Sequence, residues 1–303
     1  MNLIHRPYRN EYDYHKIREF FTQTLLLNGR KQVNWHLVRW DYWRWHVNAN
    51  IFHLKLEDAI HLWETEDGAL VAILNPDSPG EAFFQIHPRH YTKCLVSEML
   101  DVAEENLSVN RSLQIWAHEQ DELLQQALIQ RGYKKQTTTE HQRWQTLDHE
   151  IPNLSLPKGY KLDIIHADSD LPARSWASWR AFHPDEQDDK YQGWEWYFNV
   201  QRAPLYRRDL DLVAIAPTGE VASFTTVWWD ESTKTGIFEP VGTVPEHQHK
   251  GLAKALMTEG LKRLKQLGAV MAYVSSYGKA AHATYESAGF TNYDCSELWE
   301  RVW

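Results

Sequence analysis

Cysteine is scarce. The 303 residues hold only Cys94 and Cys295, too few for a disulfide framework and without metal-type spacing. A reducing cytoplasm is the expected setting. Apolar runs are short as well: none approaches the ~20 residues that a membrane span needs. The stretch Met1 to Asn10 is polar and has no apolar signal core, so no membrane contact is expected. Basic charge is also in short supply. The formal net charge is −9, and no dense Lys/Arg stripe is interleaved with aromatics, which argues against a nucleic-acid reader. Any phosphate ligand must therefore be held by local groups against an unfavourable overall field. His247-Gln248-His249 has no third ligand at sensible spacing, so no metal is expected.

Tryptophan, by contrast, is plentiful. Fifteen of them, within a hydrophobic fraction of 43%, supply real cores and cleft walls. The length suits two domains of about 150 residues.

Four landmarks repeat in the same order. Trp40-Asp41-Tyr42-Trp43 is echoed by Trp194-Glu195-Trp196-Tyr197, and Gly68 before Ala69-Leu70-Val71-Ala72 by Gly219 before Glu220-Val221-Ala222. Pro88 matches Pro245, and Arg131-Gly132-Tyr133 matches Ala288-Gly289-Phe290. The offsets run from 151 to 157. Such agreement implies two copies of one α+β unit. Pro152, Pro157 and Gly159 punctuate the join at 147–160, giving copies at 1–150 and 151–303.

In the second copy, 169–182 reads as a helix capped by Asp168 or Ser169, and 191–200 as an aromatic helix. Residues 211–216 and 221–229 form a hairpin across Pro217-Thr218-Gly219. A strand at 236–244 precedes a helix over 251–267, with Leu252, Leu256, Leu261, Leu264 and Leu267 along one face. A buried strand at 269–275 and a helix at 279–287, stopped by Gly289, follow. Residues 290–303 supply the last strands. In the first copy, Tyr14 to Leu27 and the run Trp35 to His46 read as structural.

A strand, a short glycine-containing loop and a helix start together make an anion site. Helix-start amides point outward unpaired, and the macrodipole adds positive potential. His249, Lys250, Gly251, Leu252 and Ala253 offer those amides, and Gly251 has no Cβ to obstruct close approach. Lys250 and Lys254 add local positive charge. Taken alone, the same pattern is also that of an ordinary strand-to-helix turn.

The run Val244 to Leu256 resembles the acyl-CoA pyrophosphate motif of the GNAT acetyltransferase superfamily, Gln/Arg-x-x-Gly-x-Gly/Ala, at Gln248, Gly251 and Ala253. The downstream Tyr-x-x-x-Gly-Phe pattern stands at Tyr285 to Phe290. The resemblance covers 160–303 closely and extends to the first copy in strand order. It implies an α+β fold with a mixed sheet, in two tandem GNAT-like acyl-CoA N-acyltransferase domains. In that fold the fourth and fifth strands splay to admit pantetheine. Acetyl-CoA is the implied co-substrate, with backbone groups of Val241, Gly242 and Thr243 meeting pantetheine and residues 249–254 the pyrophosphate. The family often has Asn seven positions before the tyrosine. Here Gly278 stands there, leaving Ser275 or Ser276 to supply that hydrogen bond.

The implied reaction is acetyl transfer by direct attack of an amine, on a small molecule or a peptide. A backbone N–H near Val244 is the expected donor to the thioester carbonyl. Tyr285 is the candidate acid for the departing sulfur, the alternative being a core aromatic. Glu239 is the candidate base, on the same strand parity as Ile237, where many relatives carry the catalytic Glu. Its alternative is an exposed carboxylate or an ion pair. His183, Asp185, Glu186, Trp176, Trp179, Trp194, Trp196 and Trp228 are candidates for the acceptor pocket or for the core.

Aligning the prolines puts Tyr91 at Gln248, Cys94 at Gly251 and Val96 at Ala253, and Leu128 falls at Tyr285. The first copy is therefore expected to be silent, as in tandem members of the family. A non-catalytic acyl-CoA-binding or sensor protein is the alternative function. The oligomeric state is not legible.

Overall fold

The computed structural model describes residues 3–303. They form two compact units, one of residues up to Gln142 together with Asp294–Trp303, the other Arg143–Tyr293. This differs from a cut at 150/151. Each unit is completed by a strand that the repeat assigns to the other copy, because the pairing of strand ends, not chain order, decides membership.

The first unit contains β1 (Ile4–Pro7), α1 (Glu11–Leu27), α2 (Leu37–Tyr42), α3 (Leu56–Ala59), β2 (His61–Glu64), β3 (Leu70–Asn75), β4 (Glu81–Ile86), α4 (Lys93–Asn106), β5 (Ser112–His118), α5 (Glu122–Gln130) and most of β6 (Lys134–Thr146). A π-helical stretch, Trp43–Phe52, continues α2. Its strands run in the order β1-β2-β3-β4-β5, all antiparallel except β4 with β5. The last strand of the chain then pairs antiparallel with β5, from Ser296 opposite His118 to Val302 opposite Ser112. Asn10 caps α1 by accepting the Tyr12 N–H. Trp35, Trp40 and Trp43 are buried, as a structural role requires.

The second unit begins with the tail of β6 and continues through β7 (Lys161–Ile164), α6 (Leu171–Phe182), α7 (Tyr197–Gln201), β8 (Asp211–Ile215), β9 (Val221–Asp230), β10 (Thr235–Thr243), α8 (Leu252–Gln266), β11 (Met271–Ser276) and α9 (Lys279–Ser287); β12 (Asn292–Val302) starts here and ends in the first unit. Its strand order is β11-β10-β9-β8-β7. The β6 tail flanks β11, where the Leu147 N–H donates to the Val270 carbonyl at 2.9 Å. Strands β10 and β11 are parallel partners only from Thr235–Met271 to Ile237–Tyr273. Beyond that they part.

The leucine stripe of α8 packs as its spacing predicts: Leu252, Leu256, Leu261 and Leu264 are buried with Phe238 and Val227, and Leu267 is partly buried beside them. Each fully buried leucine stabilises by about 1.5–3 kcal/mol. Gly260 lets α8 lie close to the sheet, since a Cβ there would meet Phe238 at 2.6 Å and Val227 at 2.8 Å.

Two local expectations fail. The helix expected over 191–200 is only Tyr197–Gln201. Gly193 takes a φ of 102°, a left-handed geometry that no helix contains. Neither Asp168 nor Ser169 caps α6. The Asp170 carboxylate instead accepts from the N–H groups of His166 at 2.8 Å and Ala167 at 3.0 Å, and Pro172 occupies the first turn.

A buried ion pair ties α6 to the sheet. Arg174 Nε donates to Asp211 Oδ1 at 3.0 Å with both side chains fully buried. Tyr197 and Tyr206 donate to Oδ2 at 2.5 and 2.9 Å. Arg174 also lies 3.9 Å over the Phe224 ring. Replacing Arg174 with Met leaves Asp211 charged in a dry interior. Urea unfolding is expected to show a loss of about 3–5 kcal/mol. A loss below about 1 kcal/mol would mean the pair is dispensable.

Candidate active site

The site is built where β10 hands over to α8. After Thr243 the chain makes a short 3₁₀ turn, Pro245–His247, and Gln248 Nε2 reaches back to the Thr243 carbonyl at 3.3 Å. His249 and Gly251 both take positive φ, 60° and 75°. This alternation turns successive amides to one side, the geometry of an anion nest. Helix α8 then starts with no side-chain cap at Gly251. The first-turn N–H groups of Leu252, Ala253 and Lys254 thus have no intrahelical acceptor. A Cβ at Gly251 would meet nothing within 4 Å, so it is the backbone angle that demands glycine, and the space above is open.

That loop forms one wall of a cleft of ≈ 360 Å³. Val241, Gly242, Thr243, His249, Lys250, Gly251, Leu252, Ala253 and Lys254 all line it, and so does Tyr285 from α9 on the opposite wall. Residues chosen from two separate motifs and one strand thus come together. Phe182, at the end of α6, closes another side.

Glu239 does not line this cleft. It sits half-buried on β10 at the bulge between Phe238 and Val241, where its carbonyl accepts from Trp228 Nε1 at 2.5 Å. Its charge nevertheless reaches Tyr285. Burial first, and then the Glu239 carboxylate, raise the Tyr285 phenol above its ordinary pKa. Both effects disfavour the phenolate, so Tyr285 keeps its proton at neutral pH.

Three expectations are narrowed. The Val244 N–H donates to the Ala222 carbonyl at 3.0 Å. Strand pairing consumes it, so it is not the donor to a substrate carbonyl. The Ser276 hydroxyl is committed to Arg143 Nε at 3.1 Å and His282 Nδ1 at 2.7 Å, and neither it nor Ser275 lines the cleft. Trp176, Trp179 and His183 form a stacked ladder on α6, with centroid spacings of 5.4 and 5.5 Å, and Trp228 is core. None of these four, nor Trp194, Trp196, Asp185 or Glu186, lines the cleft. Among the described residues no group of His, Cys, Asp and Glu is arranged to hold a metal, and no helix is long and apolar enough to cross a membrane.

Other residues support the loop without a sequence motif to signal them. The Tyr160 hydroxyl accepts from Lys250 Nζ at 3.1 Å and bonds His247 Nδ1 at 2.9 Å. Arg180 on α6 pairs with Glu246 at 2.9 Å. Only Tyr160's proximity to the join in sequence could have drawn attention to it.

Strands that part, an uncapped helix start and a buried phenol thus meet around one cleft. Residues 171–290 match the model of the Acetyltransferase (GNAT) family. The match lies within the second unit, and the chain is an acyltransferase whose general chemistry is acetyl transfer. It is similar to mycothiol acetyltransferase of Paenarthrobacter aurescens, 28% identical over 248 residues, which cover 77% of this chain and 73% of that one. Its fold is that of a GCN5-related N-acetyltransferase from Sphaerobacter thermophilus, with a TM-score of 0.69 at 17% identity, over 99% of this chain and 95% of the other. A tandem GNAT protein from the clavulanic acid biosynthesis pathway gives 0.68 at 16% identity, over 99% and 98%. Enzymes of this family use acetyl-CoA as co-substrate.

Alanine at position 251 must adopt the left-handed conformation, at about 1–2 kcal/mol, or rotate the amides away. Gly251→Ala is expected to weaken acetyl-CoA binding by roughly 5- to 30-fold by calorimetry, with thermal stability nearly unchanged because the free loop can relax out of the left-handed angle, which binding must then restore. An unaltered Kd would show that the loop geometry does not hold the ligand.

Proposed function

We propose that the second unit transfers an acetyl group from acetyl-CoA to an amine of a small molecule or peptide by direct attack, and that the first unit is non-catalytic. The observation that carries this reading is the single cleft shared by residues 249–254 and Tyr285. Amides of residues 249–254 hold the pyrophosphate, with Lys250 and Lys254 adding charge against the −9 of the whole chain. Backbone groups of Val241, Gly242 and Thr243 meet pantetheine.

Bound acetyl-CoA supplies the activated carbonyl and a thiol leaving group. Glu239 accepts, directly or through one water, the proton released as the amine nitrogen bonds to the carbonyl carbon. Tyr285 donates its proton to sulfur as the C–S bond breaks. Two titratable groups in mutual electrostatic contact, one held protonated, suit opposite roles. The remaining acceleration comes from holding the two reactants together.

The first unit lacks each of these devices. Its corresponding helix, α4, is capped by its own Thr92, whose hydroxyl accepts the Leu95 N–H at 3.3 Å. Cys94 and Val96 stand where the second unit has Gly251 and Ala253, and Leu128 replaces the tyrosine. Tyr91 is hydrogen-bonded to Asp121, the N-cap of α5.

Net negative charge favours the approach of cationic amines. A panel of polyamines, amino sugars and lysyl peptides, assayed for free thiol with acetyl-CoA present, is expected to reveal acceptor-dependent release. Acetyl-CoA binding without release for any amine would instead indicate a binding or sensor protein. With a working acceptor, Tyr285→Phe should lower kcat by about 100-fold or more and leave the acetyl-CoA Kd unchanged. Glu239→Gln should erase the acidic limb of the pH–rate profile. Wild-type turnover of Tyr285→Phe with chemistry limiting removes the acid role.

A further inference from the structure

Helix α9, which carries Tyr285, has nine residues. A helix that short is not stable on its own, and its placement depends on tertiary contacts. It also hangs between Gly278 and Gly289, the latter with φ of 99°, so the flanking backbone does little to stiffen it. What fixes it comes from another part of the sequence. Arg143, on the tail of β6 and only 1% exposed, reaches three points around α9. Nε donates to Ser276 Oγ at 3.1 Å just before the helix. Nη2 donates to Glu286 Oε1 at 2.9 Å, on the residue next to Tyr285. Nη1 donates to the Phe290 carbonyl at 3.0 Å just after the helix.

The grip is reinforced twice. The Ser276 hydroxyl is also bonded to His282 Nδ1 on α9 at 2.7 Å. Two residues along the same strand face, Gln145 Nε2 donates to the Ala288 carbonyl at 3.2 Å. Neither Arg143 nor Gln145 lines the cleft.

We propose that Arg143 is a positioning residue for acetyl transfer: a side chain from the strand that closes the first copy sets α9, and with it the Tyr285 hydroxyl, at the distance the leaving sulfur needs. The proposal rests on the reading of Tyr285 as the acid. It assigns a task to the silent half of the sequence, because the transferase unit takes its last strand and its helix anchor from residues before the join. A lysine cannot replace Arg143, since a single ammonium lacks the planar fork that satisfies three acceptors in three directions.

The test is a double-mutant cycle in the full-length chain, with any acceptor that supports turnover. Misplacement of a reacting group by about 1 Å costs on the order of 100-fold. Arg143→Lys is accordingly expected to lower kcat roughly 10- to 100-fold with the acetyl-CoA Kd changed less than about twofold. In a Tyr285→Phe background the same substitution should cost less than about threefold, because there is no phenol left to misplace. Glu286→Ala removes the one tether that is solvent-exposed, at 54%, without disturbing the core. It should lower kcat several-fold and show the same loss of effect beside Tyr285→Phe. It carries the test if Arg143→Lys fails to fold, as judged by lost acetyl-CoA binding. Equal losses in both backgrounds, or full kcat for Arg143→Lys and Glu286→Ala while Tyr285→Phe is impaired, overturn the positioning role and leave the acid role standing. Full turnover by Tyr285→Phe overturns both.

Discussion

A helix start without a side-chain cap is the constraint around which the second unit is organised. Most helices satisfy their first amides with a Ser, Thr, Asp or Asn oxygen. Gly251 offers none, so those amides and about half a unit of positive charge from the helix dipole remain for a ligand. In a chain of net charge −9, this local field runs against the overall one. The rest of the unit serves that helix mouth. Buried leucines press α8 against Phe238 and Val227, Gly260 permits the close approach, and the parting of β10 from β11 after Ile237 and Tyr273 opens the cleft beneath it.

The contrast between the copies reduces to a few atoms. Both place a helix after the fourth strand of the unit, and both precede it with a proline turn. In one copy the Thr92 hydroxyl takes an amide that the other leaves outward-facing. A tyrosine bonded to the start of the next helix stands where the second copy has a glutamine. No rearrangement of the fold separates the copies here, because one side-chain oxygen is enough to satisfy a helix-start amide.

How much of this the sequence reveals follows from the range of each interaction. The loop, its helix, the leucine face and the tyrosine with its Gly-Phe terminator are local patterns; the structure brings the loop, the helix start and the tyrosine to one cleft and packs the leucine face into the core. The fold class and the tandem organisation follow from the same patterns. An amide donor near Val244 was expected; that Val244's own N–H is taken by Ala222 follows from strand register, a tertiary property. The expected aromatic helix at 191–200 overlooked Gly193. Arg143 has no motif: its partners lie 133 to 147 positions away, and nothing at that position distinguishes it from a surface arginine until the strand is placed beside β11.

The exchange of terminal strands bears on how such a duplication persists. Residues 294–303 finish the sheet of the leading half, and residues 143–147 border β11 in the trailing half. A gene shortened to either half would encode a sheet with an unclosed border, exposing unpaired amides and carbonyls that invite aggregation. Loss of a copy is thus penalised at the level of folding before any loss of chemistry. The leading half is kept by strand pairing, whatever its chemistry.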